Sequence, residues 1–382
     1  MLTRRQWISR AAATVATATL PALLAVKPAA AQPAQTTTGP GSLKAHAAAR
    51  GLLVGCAVNA SLFHRDPAFR NLLAAQCSIL VPENCLKWNQ LRPTPDTYNF
   101  ADADALVSFA QTHGIKLRGH NLAWHEALPT WFAATVNKAN ARKFLIDHIT
   151  TVVTRYKGKI HSWDVVNEAI WINDGRPDGL RSSSPWFQML GAGYIDLAFK
   201  TARRADPKAL LTYNEYGIEY DTEDEAKKRT ASLALLRRMK AAGTPIDALG
   251  VQSHIHAGGP EAFGKGLREL LDGVRALGLQ VFITELDVKD DAVPNDDIVQ
   301  RDKIVASVYR SYLNTVLEGP EVKAVLTWGI TNRSTWLNTG TKFRPLHPTR
   351  PERPLPFDAD YKPTPAFFAI RNAFDAAKPR SS

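Results

Sequence analysis

Two stretches decide the fold: Trp163-Asp-Val-Val-Asn-Glu-Ala169 and Val281-Phe-Ile-Thr-Glu-Leu-Asp-Val288. Each is a short apolar run, rich in β-branched residues, with a glutamate where it turns polar. Such runs read as buried parallel strands. A glutamate at the carboxyl end of one lies beyond the core. In a closed barrel of alternating strands and helices, those ends gather at one mouth. Glu168 and Glu285 are therefore expected to face each other across a cleft.

Six further runs extend the pattern: Leu52–Ala60, Ser78–Asn84, Lys116–Trp124, Ala209–Gly217, Ala248–His256 and Ala324–Ile330. Between them, apolar residues recur at three- and four-residue spacing, most clearly over Asp102–His113, Lys138–Tyr156, Glu223–Ala242 and Asp297–Leu317. Eight strands alternating with helices is the count of a (β/α)8 TIM barrel, an α/β fold with one catalytic domain. Residues 43–382 are assigned to it.

The N-terminus reads differently. Three arginines without an acid, a weakly apolar stretch and Ala29-Ala30-Ala31 read as a cleavable export signal over residues 1–31, followed by a linker at 32–42. The pair Arg4-Arg5 before Gln6-Trp7-Ile8 points to twin-arginine export. A secreted or periplasmic protein is expected. The apolar stretch is too weak for a membrane span.

The chain has 382 residues and a formal charge of +11. Removing Arg4, Arg5, Arg10 and Lys27 leaves about +7, with acids dispersed among the bases. That is a solvated surface rather than a nucleic-acid stripe. Three cysteines are too few for a disulfide framework. Cys56 and Cys77 lie in strand-like runs and read as core thiols; a Cys77–Cys85 pair stays open.

Polar and aromatic residues cluster where the strands end: Glu83, Asn84 and Lys87; His120 and Trp124; Asn167 and Glu168; Asn214 and Tyr216; Gln252, His254 and His256; Glu285 and Asp287; Trp328 and Trp336. The indoles offer flat apolar faces to pyranose rings, and the amides, Lys87 and His120 suit hydroxyls. No phosphate loop or dinucleotide fingerprint is present. Two carboxyls flanking a glycosidic bond are the minimum apparatus for its hydrolysis. With retention they stand about 5–5.5 Å apart, so at an effective dielectric near 20 their charges repel by roughly 3 kcal/mol. One proton is then shared by the pair. His254-x-His256 could alternatively hold a metal, and either glutamate could be a cap or surface residue. His125 and His161, and the indoles of Trp88, Trp131, Trp163 and Trp186, read as structural, with Asp164 anchoring the barrel end.

Taken together, PENCLKW, LRGHNLAWH, WDVVNEA, YNEYG, GVQSHIH, ITELDV and TWGI…STW resemble glycoside hydrolase family 10, the endo-β-1,4-xylanases, over about 43–377. The resemblance implies a retaining barrel that cleaves internal β-1,4-xylosidic bonds of xylan and xylo-oligosaccharides. It implies Glu168 as acid/base and Glu285 as nucleophile, with His254 and Asp287 supporting Glu285. It implies Glu83, Asn84 and Lys87 as glycone-side binders, and His120, Trp124, Asn167, Gln252, Trp328 and Trp336 as walls of the subsite for the attacked sugar. No metal or cofactor and a monomer are expected, with no nucleic-acid or membrane partner. The alternatives are a β-1,4-glucanase and a non-catalytic sugar-binding barrel.

Asn121, Glu215, Gly217 and Asn332 depart from the family's usual residues and bear on aglycone-side detail. The stretch from Asn338 to Pro356 holds five prolines and five basic residues, His347 included. Arg344, Arg350 and Arg353 there are expected to attract acidic branches on the polymer, or else only to be solvated.

Overall fold

Every apolar run of the sequence becomes a parallel strand in the computed structural model, which describes residues 36–258, 263–294, 296–339 and 350–380. The strands are β1 Leu53–Val58, β2 Ile79–Pro82, β3 Lys116–Ala123, β4 Ser162–Asn167, β5 Leu210–Glu215, β6 Ala248–Val251, β7 His254–His256, β8 Gln280–Lys289 and β9 Val322–Thr327. Each pairs in parallel with its neighbour from β1 to β6, and β9 pairs with both β1 and β8. The β6–β8 pairing closes the circle. The sixth run, expected as one strand, is two. Val251 pairs with Ile283 and His254 with Asp287, so β6 and β7 occupy one barrel position on either side of a break. Ser253 in that break has φ +66°, a left-handed conformation that strand pairing cannot continue.

The four expected helices form over Ala101–Thr112, Ala141–Arg155, Glu223–Ala241 and Ile298–Val316. Two of their starts are marked by side-chain caps. Thr222 accepts a hydrogen bond from Glu225 N (3.2 Å) and Asp297 from Val299 N (2.9 Å). The helix Glu223–Ala241 carries acids in its first turn and Arg238 and Lys240 in its last, matching the helix dipole.

The core is continuous from the barrel wall to the helices. Trp163 lies wholly buried on β4 against Gly119 of β3, where a Cβ would stand 2.1 Å from the indole. Trp88 and Trp186 are equally buried, their N–H groups donating to Leu122 O (2.8 Å) and Trp124 O (3.0 Å). These indoles are part of the buried core, as the sequence suggests. Arg118 and His120 both contact Asp164, a buried carboxylate that ties β3 to β4 under the mouth.

Residues 36–42, expected as linker, are held against the barrel. Gln76 Nε2 donates to Thr37 O (2.7 Å) and Arg371 Nη1 to Thr36 O (3.1 Å). Ser42 caps the helix Leu43–Ala48. Residues 1–35, the expected export signal and start of the linker, lie outside the described residues. The three cysteines are buried and free; Cys56 Sγ, not Cys85, approaches Cys77 Sγ, at 3.8 Å. No helix among the described residues is long and apolar enough to cross a membrane.

The Pro-rich loop corrects its expected role. Arg350 donates to Asp296 (3.0 Å), Val293 O (3.0 Å) and Asp291 O (2.9 Å). Arg353 makes a forked pair with Asp302 at 2.7 and 2.8 Å. Guanidiniums engaged in this way are fasteners, not bait for an acidic branch. Arg344 lies outside the described residues.

Candidate active site

The strand ends deliver their polar residues to one mouth. Glu285 on β8 is 5% exposed. Its Oε1 accepts from Asn214 Nδ2 at 2.7 Å, and its Oε2 lies 3.2 Å from His254 Nε2. His254 Nδ1 is 3.0 Å from Asp287 Oδ1, and Trp336 Nε1 donates to Asp287 Oδ2 at 2.7 Å. Both imidazole nitrogens thus face carboxylates, which engages the group weighed above as a metal ligand.

The electrostatics follow from this arrangement. Burial works to raise the Glu285 carboxyl, but the His254 hydrogen bond and the charges of His120, His254 and Lys87 overcome it and hold it at about 2. Burial works to lower His254, and Asp287 and Glu285 hold it instead at about 10. Glu285 is therefore ionised and His254 positively charged through the neutral range.

Glu168 follows β4 with φ +58°, a conformation that side chains with a Cβ adopt only when the surroundings impose it, at a cost on the order of 1–3 kcal/mol. Its Oε1 accepts from Asn167 Nδ2 (3.1 Å) and Gln252 Nε2 (3.0 Å). Oε2 receives neither, and stands 4.0 Å from His125 Nδ1. Burial raises this carboxyl, the Gln252 bond lowers it, the charge of Glu215 raises it, the Trp124 indole lowers it and Glu285 raises it again; the balance lies above the ordinary range. The two glutamates are thus driven apart, one towards the anion and one towards the acid.

A pair of amides joins them. Asn214 Nδ2 donates to Glu285 Oε1 and to Asn167 Oδ1 (2.8 Å), while Asn167 Nδ2 donates to Glu168. Asn214 Oδ1 accepts from Thr284 Oγ1 at 2.7 Å. This corrects the expectation for Asn214. It is wholly buried with both donors and its acceptor engaged, so it binds the site together and does not meet a sugar. Gly250 makes room for it, since a Cβ there would lie 2.2 Å from Asn214 Oδ1. Gly250→Ala is expected to cost about 1–3 kcal/mol of stability and to lower activity by displacing Asn214. Thermal melts and kcat/KM check this together.

The remaining expected residues line the mouth. Lys87 Nζ donates to Asn84 Oδ1 (3.0 Å) and lies 5.3 and 5.6 Å from the ring centres of Trp124 and Trp328. The His120 ring meets Trp328 edge-on at 5.2 Å, and His254 is 4.9 Å from Trp336. Glu83 accepts from Asn59 Nδ2 at 3.1 Å. Tyr216 stands to one side, its hydroxyl 3.2 Å from Arg181 Nη2 and its ring centre 3.4 Å from Lys228 Nζ.

Three positions were hard to see in the sequence. Asn59 at the end of β1 orients Glu83, Thr284 orients Asn214, and Arg181 holds the carbonyl of Glu168 at 2.9 Å. Asn59 follows an apolar run as Asn84 does, so its signal was present. Thr284 and Arg181 carry none. The departures also gain meanings. Asn121 Nδ2 lies 3.3 Å from His120 Nε2, and Asn332 Oδ1 accepts from Leu355 N at 3.0 Å. Gly217 has φ +64°, a position that glycine and asparagine both tolerate. Glu215 is wholly buried.

The family profile for glycosyl hydrolase family 10 matches residues 42–373. The chain belongs to glycosyl hydrolase family 10. The family 10 chain is 34% identical to the beta-1,4-xylanase of Dictyoglomus thermophilum, over 83% of its own length and 87% of that protein. It is also 34% identical to endo-1,4-beta-xylanase C of Paenibacillus barcinonensis, again over 83% of its length, but spans only 30% of that larger protein. Xylanase 10B of Thermotoga petrophila RKU-1, solved in complex with xylobiose, superposes with a TM-score of 0.78 at 31% identity, over 87% of this chain and 97% of that one.

Proposed function

We propose that this family 10 chain hydrolyses internal β-1,4-xylosidic bonds of xylan with retention, Glu285 attacking the anomeric carbon and Glu168 serving as acid and then base. The observation that carries the reading is the divergence of the two carboxyls: Glu285 is held ionised at about 2 while Glu168 is pushed up. The xylanase relatives and the neighbour with xylobiose support the substrate class.

In the first step Glu168 delivers its proton to the leaving oxygen as a Glu285 carboxylate oxygen closes on carbon. The ester that forms is neutral. The part of the upward push on Glu168 that came from the Glu285 charge disappears, the carboxyl acidifies, and it then takes a proton from the incoming water. Glu83, Asn84 and Lys87 hold glycone hydroxyls, while Trp124, Trp328 and Trp336 form the apolar walls. Following the anomers of xylohexaose products by NMR tests the stereochemistry: β-anomer must appear before α, and α appearing first would sink the mechanism. Rates on xylan and carboxymethylcellulose separate a xylanase from a glucanase.

The unequal environments of the two carboxyls lead to an expected pH profile. Activity needs Glu285 ionised, so its acid limb should appear only as pH falls towards about 2. It needs Glu168 protonated, so the alkaline limb follows that raised carboxyl. His254→Asn removes the leading hydrogen bond to Glu285. The acid limb of kcat/KM should move to higher pH, and neutral-pH activity should fall about tenfold or more. An unmoved limb in that variant would count against the role given to His254.

We further propose that residues 1–31 direct twin-arginine export. Arg4→Lys/Arg5→Lys should leave active enzyme in the cytoplasmic fraction. Undiminished export of that variant would exclude the route.

A further inference from the structure

The proposed chemistry gives no task to Glu215, a carboxylate at the end of β5 whose side chain is completely shielded from solvent. It is nevertheless densely bonded. Oε1 meets Lys228 Nζ at 2.8 Å and accepts from Tyr216 N at 3.1 Å. Oε2 accepts from Ile170 N at 3.1 Å and from the Tyr213 hydroxyl. Ile170 is two residues past Glu168, whose left-handed backbone must be imposed from outside. Three bonds restrain that segment from other quarters: Glu168 N to Asn214 O (2.9 Å), Arg181 Nε to Glu168 O (2.9 Å) and Arg181 N to Ala169 O (2.7 Å). The bond to Ile170 N adds a fourth restraint, from a side chain on β5.

We propose that Glu215 is a positioning residue for Glu168, fixing the Glu168–Ile170 segment through its bond to Ile170 N, with Lys228 as its buried partner. This rests on the reading of Glu168 as acid/base. The charged groups around Glu168 are Glu215 on β5 with its partner Lys228, Glu285 on β8, Arg181 after β4, His125 after β3 and Lys87 after β2. Among the acids, the influence of Glu215 on Glu168 exceeds that of Glu285. A nearby anion favours the neutral form of a carboxyl, so removing it must release the proton at lower pH.

The test is Glu215→Gln, assayed on xylan and on 2,4-dinitrophenyl β-xylobioside across pH. Xylan kcat/KM should fall about tenfold and its alkaline limb should move to lower pH. Formation of the intermediate from the dinitrophenyl substrate, whose leaving group needs no proton, should change less than about twofold. A purely structural role would lower both substrates alike and leave the limb in place; that result overturns the proposal. Lys228 left unpaired could prevent folding. In that event Glu215→Gln/Lys228→Met carries the test on the substrate split alone, and equal losses there overturn it. Glu168→Ala serves as the control. If it still cleaves xylan, the acid/base reading fails; if it does not and the Glu215→Gln limb is parent-like, only the present proposal fails.

Discussion

Glu285→Ala is expected to lower kcat/KM on xylan by about 10⁴-fold or more while leaving a folded protein. The size follows from what is lost. The attacking oxygen disappears, and with it the two-step route, so water would have to displace the leaving group unaided at a site shaped for a carboxylate. The fold should survive because Asn214 keeps its bonds to Asn167 and Thr284, and His254 keeps Asp287. A small anion can enter the space left. With azide and an activated β-xyloside, this variant should yield the α-xylosyl azide, because one displacement inverts the centre. Xylan cleavage within tenfold of the parent would remove Glu285 from the mechanism.

Glu168→Ala should produce a different defect of similar size on xylan, about 10³-fold or more, because the xylose leaving group must be protonated. Aryl xylosides with good leaving groups should still form the intermediate and then stall, since no base activates water. Azide needs no base and should accelerate turnover. Its product here should be the β-xylosyl azide, the outcome of two displacements. The anomer formed by each variant therefore assigns the roles independently of any rate. No azide acceleration in Glu168→Ala would count against its part as base.

Most of the barrel was legible because burial on both faces writes a strand as a continuous apolar run, and a helix as a three-four repeat. The strand ends were legible for the same reason: polarity begins where the core stops, at Glu83, Asn167 and Glu285. What composition cannot display is the direction of a side chain past that point. Asn214 reads like Asn84, yet one is wholly buried and the other exposed. The break at Gln252 and Ser253 lies inside a run that looks unbroken, since it arises from a backbone angle. Arg350 and Arg353 looked like a basic patch because their partners, Asp296 and Asp302, lie more than fifty positions earlier. Only the assembled fold brings those charges together. The distinction between the two glutamates came from family resemblance; the structure adds a physical cause in the unequal donors each receives.

The two asparagines between the glutamates have one more consequence. The gap between attacking and proton-donating carboxyls separates retention from inversion among glycosidases. Here that gap is spanned by carboxamides, which neither gain nor lose a proton between strong acid and strong base. Glu168 and His254 can change charge at the ends of the range, yet the spacer between the carboxyls keeps its length and its polarity. The handedness of the product should accordingly stay constant wherever the enzyme turns over, even where its rate has fallen to a small fraction of the maximum.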